Sequence, residues 1–224
     1  MSADDVLKNP NWPAEFPLTA QNFRRQDESD DSIFYDSPRL CFHIDNDAVS
    51  ALTRYYESLP TPTAVLDFAS SWVSHFPPAW ITETPRRVVF GMSLEELRAN
   101  KAATEVAVQD LNKDPTFPFE SNSFDLVTNC VSVDYLTKPL QVFREVHRCL
   151  KPGGRAVFSF SNRCFPSKAI DIWLRTNDLE HCYIVGSYFH YAGGFDPPQS
   201  INISPRTGGT TDPMYVVTAR KSSG

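Results

Sequence analysis

Glycine is scarce in this sequence, with nine among 224 residues, and no G-x-G-x-x-G motif occurs. That motif lets the backbone approach a dinucleotide pyrophosphate, so its absence argues against a nicotinamide-dependent oxidoreductase. Positive charge is also in deficit, since 21 Lys and Arg residues against 27 Asp and Glu residues give a net charge of -6. Broad binding to nucleic acid or to an anionic membrane needs clustered basic residues. We therefore expect neither partner.

Cysteine pairs and long hydrophobic runs are missing as well. The five cysteines are widely spaced and form no C-x-x-C pair, which argues against zinc and redox motifs and favours a reduced, cytoplasmic protein. No apolar run approaches the roughly 20 residues of a membrane span, and the start MSADDVLKNPNWP has no signal-peptide core. The five histidines have no spacing with acids or cysteines that indicates a metal site, so we predict none.

From Ala64 onward, short apolar runs alternate with helical stretches. The runs AVLDF, RRVVFGM, EVAVQDL, FDLVTNCV and GRAVFSFS are typical of strand–helix–strand units around a parallel sheet. Two later β-rich runs, SINIS and DPMYVVTARK, are separated by the turn PRTGGTTDP and favour an antiparallel pair at one edge. Among the helical stretches, Ser93 and Glu96 have the spacing of a capping box, and Gly153 or Gly154 is expected to end the helix that starts near Pro139.

The first 60 residues have a different pattern. Isolated aromatic residues, prolines and charges over the first 40 positions predict an irregular arm, and an arm of this kind can serve as a lid. A helix follows in DNDAVSALTRYYESL, with Asp45 as its cap. We therefore divide the chain into an arm and helix at 1–60 and a sheet domain at 61–224.

In an open parallel sheet, ligands bind outside the carboxyl ends of the strands. Asp67 ends the first run and is followed by small residues, where a helix with free N–H groups is expected to start. The ends of all the strands supply the candidate binding residues, which are Asp67, Ala69, Ser70, Ser71, Gly91, Met92, Asp110, Asn129 and Cys130.

The motifs AVLDFASS, VQDLNKDPTFPFESNSFDLV, VDYLTKPLQVFREVHRCLKPGGRAVFSFSN and PMYVVTARK resemble the class I S-adenosylmethionine-dependent methyltransferases, especially the type 11 group. The resemblance extends from Ala64 to Lys221. It implies a Rossmann-like, doubly wound α/β fold in which a mostly parallel seven-stranded sheet has an antiparallel C-terminal β pair and helices on both faces. It also implies S-adenosylmethionine as cofactor, a small-molecule acceptor, and a monomer or homodimer.

The resemblance assigns cofactor contacts residue by residue. Asp67 lies in the first motif, near the methionine part of the cofactor, but the three glycine positions of that motif hold Ala69, Ser71 and Val73. Alanine and serine do not tolerate positive φ as glycine does, so we expect either an ordinary backbone path or a tightened site. Ser70 and Ser71 have an alternative role as caps of the next helix.

A second departure from the family lies at the end of the second strand. Members of the family place an acid there that accepts hydrogen bonds from both ribose hydroxyls, and this sequence lacks it. The sequence there is FGMSLEEL, in which Glu95 or Glu96 can reach back and Met92 can pack on the adenine. The next two strands agree with the family. Asp110 matches the acceptor of the adenine amino group, with the Leu111 N–H beside it, and the fourth strand contributes backbone at Asn129, Cys130 and Val131.

Methyl transfer is an in-line displacement that depends mainly on positioning, and a hydroxyl acceptor also needs a base. The resemblance makes Asp134 the candidate base and Tyr135 the residue that orients the acceptor, although Asp134 can instead cap a turn and Tyr135 can pack under the arm. Weaker acceptor contacts are Asn162, Arg163, His190 and Tyr191. The two departures from the family leave a second reading open, namely a methyltransferase-like module that has lost catalysis and serves in binding or regulation.

Overall fold

A seven-stranded β-sheet forms the centre of the fold. In a computed structural model, which describes residues 2–205 and 210–223, its strands are β1 Ala64–Phe68, β2 Arg86–Gly91, β3 Glu105–Val108, β4 Phe124–Cys130, β5 Leu150–Phe160, β6 Gln199–Asn202 and β7 Tyr215–Arg220. Each matches one of the β-rich runs of the sequence. Four residues of the expected turn between β6 and β7, 206–209, lie outside the described residues.

The strand order is β3-β2-β1-β4-β5-β7-β6. Strands β1 to β5 are all parallel to one another, whereas β7 is antiparallel to both β5 and β6. The predicted mostly parallel seven-stranded sheet with an antiparallel C-terminal pair is therefore confirmed. The strand order reverses between β1 and β4, which is where an open α/β sheet offers a crevice for ligands.

Helices cover both faces of the sheet, as predicted. They are α1 Ala3–Val6, α2 Asp31–Phe34, α3 Asn46–Glu57, α4 Pro78–Glu83, α5 Leu94–Ala99, α6 Pro139–Cys149, α7 Asp171–Leu174 and α8 Asp178–Ala192. On one face, α6 and α8 pack on the sheet through residues such as Phe143 and Tyr188. On the other face, α3 and α4 contribute Leu52, Tyr56 and Trp80 to a second buried cluster. None of the described helices is long and apolar enough to cross a membrane.

The helix expected directly after β1 is absent, which corrects the sequence analysis. Residues 69–77 form a loop, and the next helix, α4, begins only at Pro78. His75 has a positive φ of 56°, and Pro77 is extended in front of Pro78, a position that disfavours helical geometry. Both features delay the helix, so Ser70 and Ser71 do not cap it.

The helix α6 also ends earlier than predicted. It stops at Cys149, and β5 begins at Leu150, so Gly153 and Gly154 lie within the strand and not at the helix end. Lys151 precedes Pro152, which disfavours a helical conformation there. Gly154 is needed in the strand because a Cβ at this position would lie 2.8 Å from the Lys151 carbonyl oxygen.

The arm wraps around the sheet domain instead of extending from it. Its first helix, α1, packs against α8 and β6, and the Leu7 side chain leaves no room for a Cβ at Gly186. Asp45 caps α3 as predicted, since its carboxylate accepts a hydrogen bond from the Ala48 N–H at 2.8 Å. Between these two anchors, the arm crosses the carboxyl ends of the strands.

Candidate functional site

A cavity of about 470 Å³ lies at the carboxyl ends of β1 to β4. Its volume lies in the range of pockets that bind small molecules. Most of the predicted binding and catalytic residues line it, and these are Asp67, Ala69, Ser70, Ser71, Gly91, Met92, Asp110, Leu111, Cys130, Val131 and Tyr135. Two predicted residues, Asn129 and Asp134, do not line it. Trp72 and Val73 face the cavity and not the core.

Asp67 organises the loop that follows β1. One carboxylate oxygen accepts a hydrogen bond from the Ser70 hydroxyl at 2.6 Å, and the other accepts one from the Thr128 hydroxyl at 2.8 Å. Burial raises the pKa of Asp67 to about 6, and these hydroxyl donors limit the rise. The residue therefore joins β1, β4 and the loop into one hydrogen-bonded unit at the floor of the cavity.

Ala69 keeps the backbone conformation that glycine normally provides, with a φ of 47°. At the end of β4, Val131 also has a positive φ, of 43°. This region disfavours residues with a Cβ, and it disfavours β-branched residues most. The expectation that alanine excludes a positive φ here is wrong. Strained backbone at two neighbouring strand ends is typical of functional sites.

Gly91 allows the same loop to pass close to the end of β2. The Ser70 N–H donates to the Phe90 carbonyl at 2.9 Å, and a Cβ on Gly91 would lie only 2.3 Å from the Ser70 carbonyl oxygen. A side chain at Gly91 would therefore displace the loop from β2.

Glu96 faces the cavity, and the capping box is only half formed. Ser93 caps α5 by accepting from the Glu96 N–H, but the Glu96 carboxylate does not reach back to Ser93. Instead it accepts hydrogen bonds from the Ser71 hydroxyl at 2.6 Å and from the Arg39 backbone N–H at 2.7 Å. The reciprocal half of the prediction is wrong, because the arm and the loop provide donors inside the cavity. Glu95 is exposed.

The end of β3 contributes Asp110 and Asn112. The Asp110 carboxylate accepts from the Asn112 N–H at 2.9 Å and lies beside the cavity. The Asn112 side chain donates to Asp31 of the arm at 2.9 Å and to the Tyr135 carbonyl at 3.0 Å. This side chain therefore connects the arm, β3 and the segment after β4.

Asp134 and Asn129 are buried away from the cavity. The side-chain amide of Asn129 donates to the Phe68 carbonyl at 3.1 Å. Asp134 is 2% exposed, and burial raises its pKa to about 8. Its neighbour Tyr135 does line the cavity, and its hydroxyl accepts from the Phe165 N–H at 2.9 Å. Tyr135 therefore lines the cavity, whereas Asp134 is buried and does not.

A buried ionic cluster holds the arm over the strand ends. The Arg25 guanidinium contacts Asp31 at 2.8 Å, and the Lys168 ammonium lies 3.1 Å from the same carboxylate. Asp27 lies 3.0 Å from Lys168. The side chains of Arg25, Asp31 and Lys168 are at most 7% exposed. Burial favours the neutral acid, but hydrogen bonds from Arg25 and Asn112 outweigh it and lower the pKa of Asp31.

Several arm residues that face the cavity carry no signal in the sequence. They include Tyr35, Arg39, Phe42 and His43. Phe42 packs on Trp72 of the loop after β1 with ring centroids 5.1 Å apart, and the Trp72 indole N–H donates to the Cys41 carbonyl at 3.0 Å. Only the folded path of the arm brings these residues to the strand ends.

His43 and His75 present imidazoles to the cavity. Burial lowers the pKa of His43. The Arg39 guanidinium lowers it further, whereas the Glu96 carboxylate raises it, and the net shift is downward. Burial also lowers the pKa of His75, to about 4. Both rings are therefore neutral at pH 7. Among the described residues, no group of three or more His, Cys, Asp or Glu side chains could hold a metal ion.

The weaker acceptor candidates separate into two pairs. Asn162 and Arg163 follow β5 and line the cavity. His190 and Tyr191 lie on α8, where His190 stacks on Trp12 at 5.0 Å and the Tyr191 hydroxyl donates to the Pro13 carbonyl at 2.5 Å. The second pair therefore holds the start of the arm.

The cavity meets the chemical needs of S-adenosylmethionine. A nucleoside presents hydroxyl and amino donors, and the carboxylates of Glu96 and Asp110 offer acceptors on the side of β2 and β3.

Comparison with known proteins agrees with this geometry. Residues 79–158 match the family model of the methyltransferase domain. A malonyl-[acyl-carrier protein] O-methyltransferase from Marinomonas sp. (strain MWYL1) is 30% identical over 66 residues, which are 30% of this chain and 24% of that protein. The mitochondrial 2-methoxy-6-polyprenyl-1,4-benzoquinol methylase of Caenorhabditis elegans is 49% identical over 45 residues, 20% of this chain and 16% of that protein. The chain thus aligns with less than a quarter of the length of either curated relative.

The fold is shared more widely. The crystal structure of an S-adenosylmethionine-dependent methyltransferase from Mesorhizobium loti superposes with a TM-score of 0.52 at 18% identity, covering 76% of this chain and 97% of that one. At this identity the likeness shows the fold. The matched sequence segment, the strand order and the cavity at the strand ends together make this chain similar to the class I S-adenosylmethionine-dependent methyltransferases.

Proposed function

We propose that the protein transfers a methyl group from S-adenosylmethionine to a small-molecule acceptor enclosed by the arm. The observation that carries the proposal is the two-sided cavity. One side consists of the ends of β1 to β4, and the other consists of arm residues 25–44 and the loop after β5. A cavity closed on both sides holds two small molecules against each other, and such positioning is the main requirement of methyl transfer.

On the cofactor side, we assign binding to the predicted strand-end residues that line the cavity. When bound, S-adenosylmethionine supplies an electrophilic methyl group on its sulfonium. Asp110 would accept a hydrogen bond from the adenine amino group, and the backbone at Ala69 and Val131, which has a positive φ and lines the cavity, would lie beside the cofactor. Glu96 offers a carboxylate in place of the missing acid at the end of β2.

On the acceptor side, we propose His43 as the general base for a hydroxyl acceptor. Its neutral imidazole lines the cavity, packed edge-on against Phe165 at 5.3 Å. It would accept the proton of the acceptor hydroxyl, whose oxygen would take the methyl group that S-adenosylmethionine supplies. Asp134, the base proposed from the sequence, is protonated at pH 7 in its buried position and does not reach the cavity. Tyr135 keeps its proposed role in orienting the acceptor.

We also propose that residues 1–60 act as a lid on the domain at 61–224. The lid is supported by the contacts of the arm with all sides of the cavity: Asp31 with Lys168, Asn112 with Asp31, and the Arg39 N–H with Glu96. The arm lies over the strand ends and leaves the cavity open beneath it. We propose that the active protein is a monomer or a homodimer.

One observation favours the alternative of an inactive binding module. The loop after β1 leads into no helix until Pro78, so the helix N-terminus expected beside the cofactor is missing. An inactive module of this kind would have lost catalysis and would serve in binding or regulation.

The test is a measurement of S-adenosylhomocysteine formation by the purified chain with a panel of small hydroxyl, carboxyl and amine acceptors. We expect acceptor-dependent formation in the wild type and at least tenfold less with Asp110→Ala. Glu120→Ala is the matched control, because Glu120 is an exposed acid on the same connection and lies outside the cavity. Cofactor binding without product from any acceptor would support the inactive module, and absence of cofactor binding would refute the proposed methyltransferase function.

A further inference from the structure

Among the residues that the structure describes, one cation that lines the cavity has no carboxylate partner. Four basic residues line the cavity, namely Arg25, Arg39, Arg163 and Lys168. Arg25 and Lys168 are paired with Asp31, and Arg163 lies 3.9 Å from Asp212. Within residues 2–205 and 210–223, no Asp or Glu oxygen lies within 4 Å of the Arg39 guanidinium. Its charge is therefore available to a ligand.

The Arg39 guanidinium is also held in place. One of its N–H groups donates to the Phe34 carbonyl at 2.9 Å, and its central carbon lies 4.3 Å from the centroid of the Phe34 ring and 5.5 Å from that of Phe165. The Arg39 backbone is fixed by the bond from its N–H to Glu96. A guanidinium has five N–H donors, so most of them remain for a ligand. A fixed, planar set of donors suits carboxylates and phosphates, which accept two parallel hydrogen bonds.

Aromatic rings surround the Arg39 guanidinium. The Phe165 ring contacts both the Arg39 guanidinium and the proposed base, His43. Tyr135 adds a third ring, 6.2 Å from that of Phe165. A ligand at this place meets the Arg39 cation, one neutral imidazole, several ring faces and the Glu96 carboxylate, which accepts from the Arg39 backbone N–H. This combination matches a small, planar, apolar molecule with an anionic group at one end.

We propose that Arg39 binds an anionic group, a carboxylate or a phosphate, on the methyl acceptor, and that the acceptor is a small aromatic acid. This inference rests on the proposed function, since it names the acceptor class of the same cavity. It assigns to the arm a role in substrate recognition in addition to closing the cavity.

The test compares charged and neutral probes of nearly equal shape. The probes are 4-hydroxybenzoate and phenyl phosphate as anions and 4-hydroxybenzamide as the neutral analogue. Their dissociation constants are measured by ligand-observed NMR titration with the chain saturated with S-adenosylhomocysteine. We expect the wild type to bind at least one anion ten times more tightly than the amide.

Arg39→Gln should remove this preference and leave the affinity for the amide and for S-adenosylhomocysteine within twofold of wild type. Arg39→Lys keeps the charge without the fork of donors and should retain part of the preference. Arg24→Gln is the matched control, because Arg24 is an arginine of the same arm whose side chain is 65% exposed and does not line the cavity. Thermal unfolding of each variant shows whether it is folded.

Two results would overturn the inference: a wild type without preference for either anion, or a preference that persists in Arg39→Gln. Loss of S-adenosylhomocysteine affinity in Arg39→Gln would overturn it in another way, because Arg39 would then hold the cofactor. A wild type that fails to bind S-adenosylhomocysteine at all would instead refute the proposed function.

Discussion

The ionic cluster around Asp31 gives a quantitative prediction for the arm. Asp31→Asn keeps the size of the side chain but removes the one carboxylate of the described residues that both Arg25 and Lys168 contact. These two side chains are 7% and 1% exposed, so the variant leaves buried cations without their shared anion. Removing one partner of a buried pair typically costs about 3–5 kcal/mol. We expect the lower end, about 3 kcal/mol, because Asp27 still contacts Lys168.

This loss should appear as local opening of the arm. A cost of about 3 kcal/mol raises the open population by roughly 150-fold. When opening is fast relative to cleavage, the rate of proteolysis follows that population. Trypsin should therefore cut after Arg24, Arg25 and Arg39 faster in Asp31→Asn than in wild type, by roughly two orders of magnitude, as measured by mass spectrometry of timed digests.

Asp36→Asn is the control for this prediction, since Asp36 is an exposed arm carboxylate outside the cluster. Because the folded-state pKa of Asp31 is lowered, its contribution is present above the unfolded pKa and is lost as pH falls through the folded pKa. Acid should therefore open the wild-type arm and affect Asp31→Asn less. Equal cleavage rates of Asp31→Asn and wild type at pH 7 would refute the assignment of the cluster as the anchor.

Three further predictions concern the cavity itself. Ala69→Gly removes the strain of a positive φ at a residue with a Cβ. The free energy of unfolding, measured in urea, should therefore stay the same or rise by up to about 1 kcal/mol. A decrease of more than about 1 kcal/mol would show that Ala69 is not strained. Gly91→Ala places a Cβ against the Ser70 carbonyl. We expect it to lower the free energy of unfolding by about 1–3 kcal/mol and to weaken S-adenosylhomocysteine binding. Unchanged binding would show that the position of the loop after β1 does not determine cofactor affinity. His43→Gln should lower kcat and remove a rise of kcat with pH through a pKa below 6.5, because only the neutral ring accepts a proton. An unaltered pH profile would exclude His43 as the base.

Much of the fold could be predicted because its signals are local. Each strand corresponds to a run of apolar and β-branched residues, and Asp45 and Ser93 mark helix starts with oxygen acceptors. The loop after β1 could not be predicted in this way. There the small polar residues that suggest a helix cap bond instead to carboxylates, Ser70 to Asp67 and Ser71 to Glu96.

The candidate site was predictable only in part, for a similar reason. Strand ends meet at one edge of a parallel sheet, so Asp67 and Asp110 could be placed together from the order of the elements. Arg39 and His43 reach the same cavity through the irregular path of the arm, which has no periodicity to read. Asp134 shows the opposite case, because a motif position does not reveal whether a side chain faces the cavity or the core.

Cofactor binding at the strand ends is the central claim, and isothermal titration of the wild-type chain with S-adenosylhomocysteine tests it most directly. We predict saturable binding with one site per chain, weakened at least tenfold by Asp110→Ala and unchanged by Glu120→Ala. No heat and no thermal shift at millimolar ligand would contradict the claim, and so would equal affinity in the wild type and Asp110→Ala.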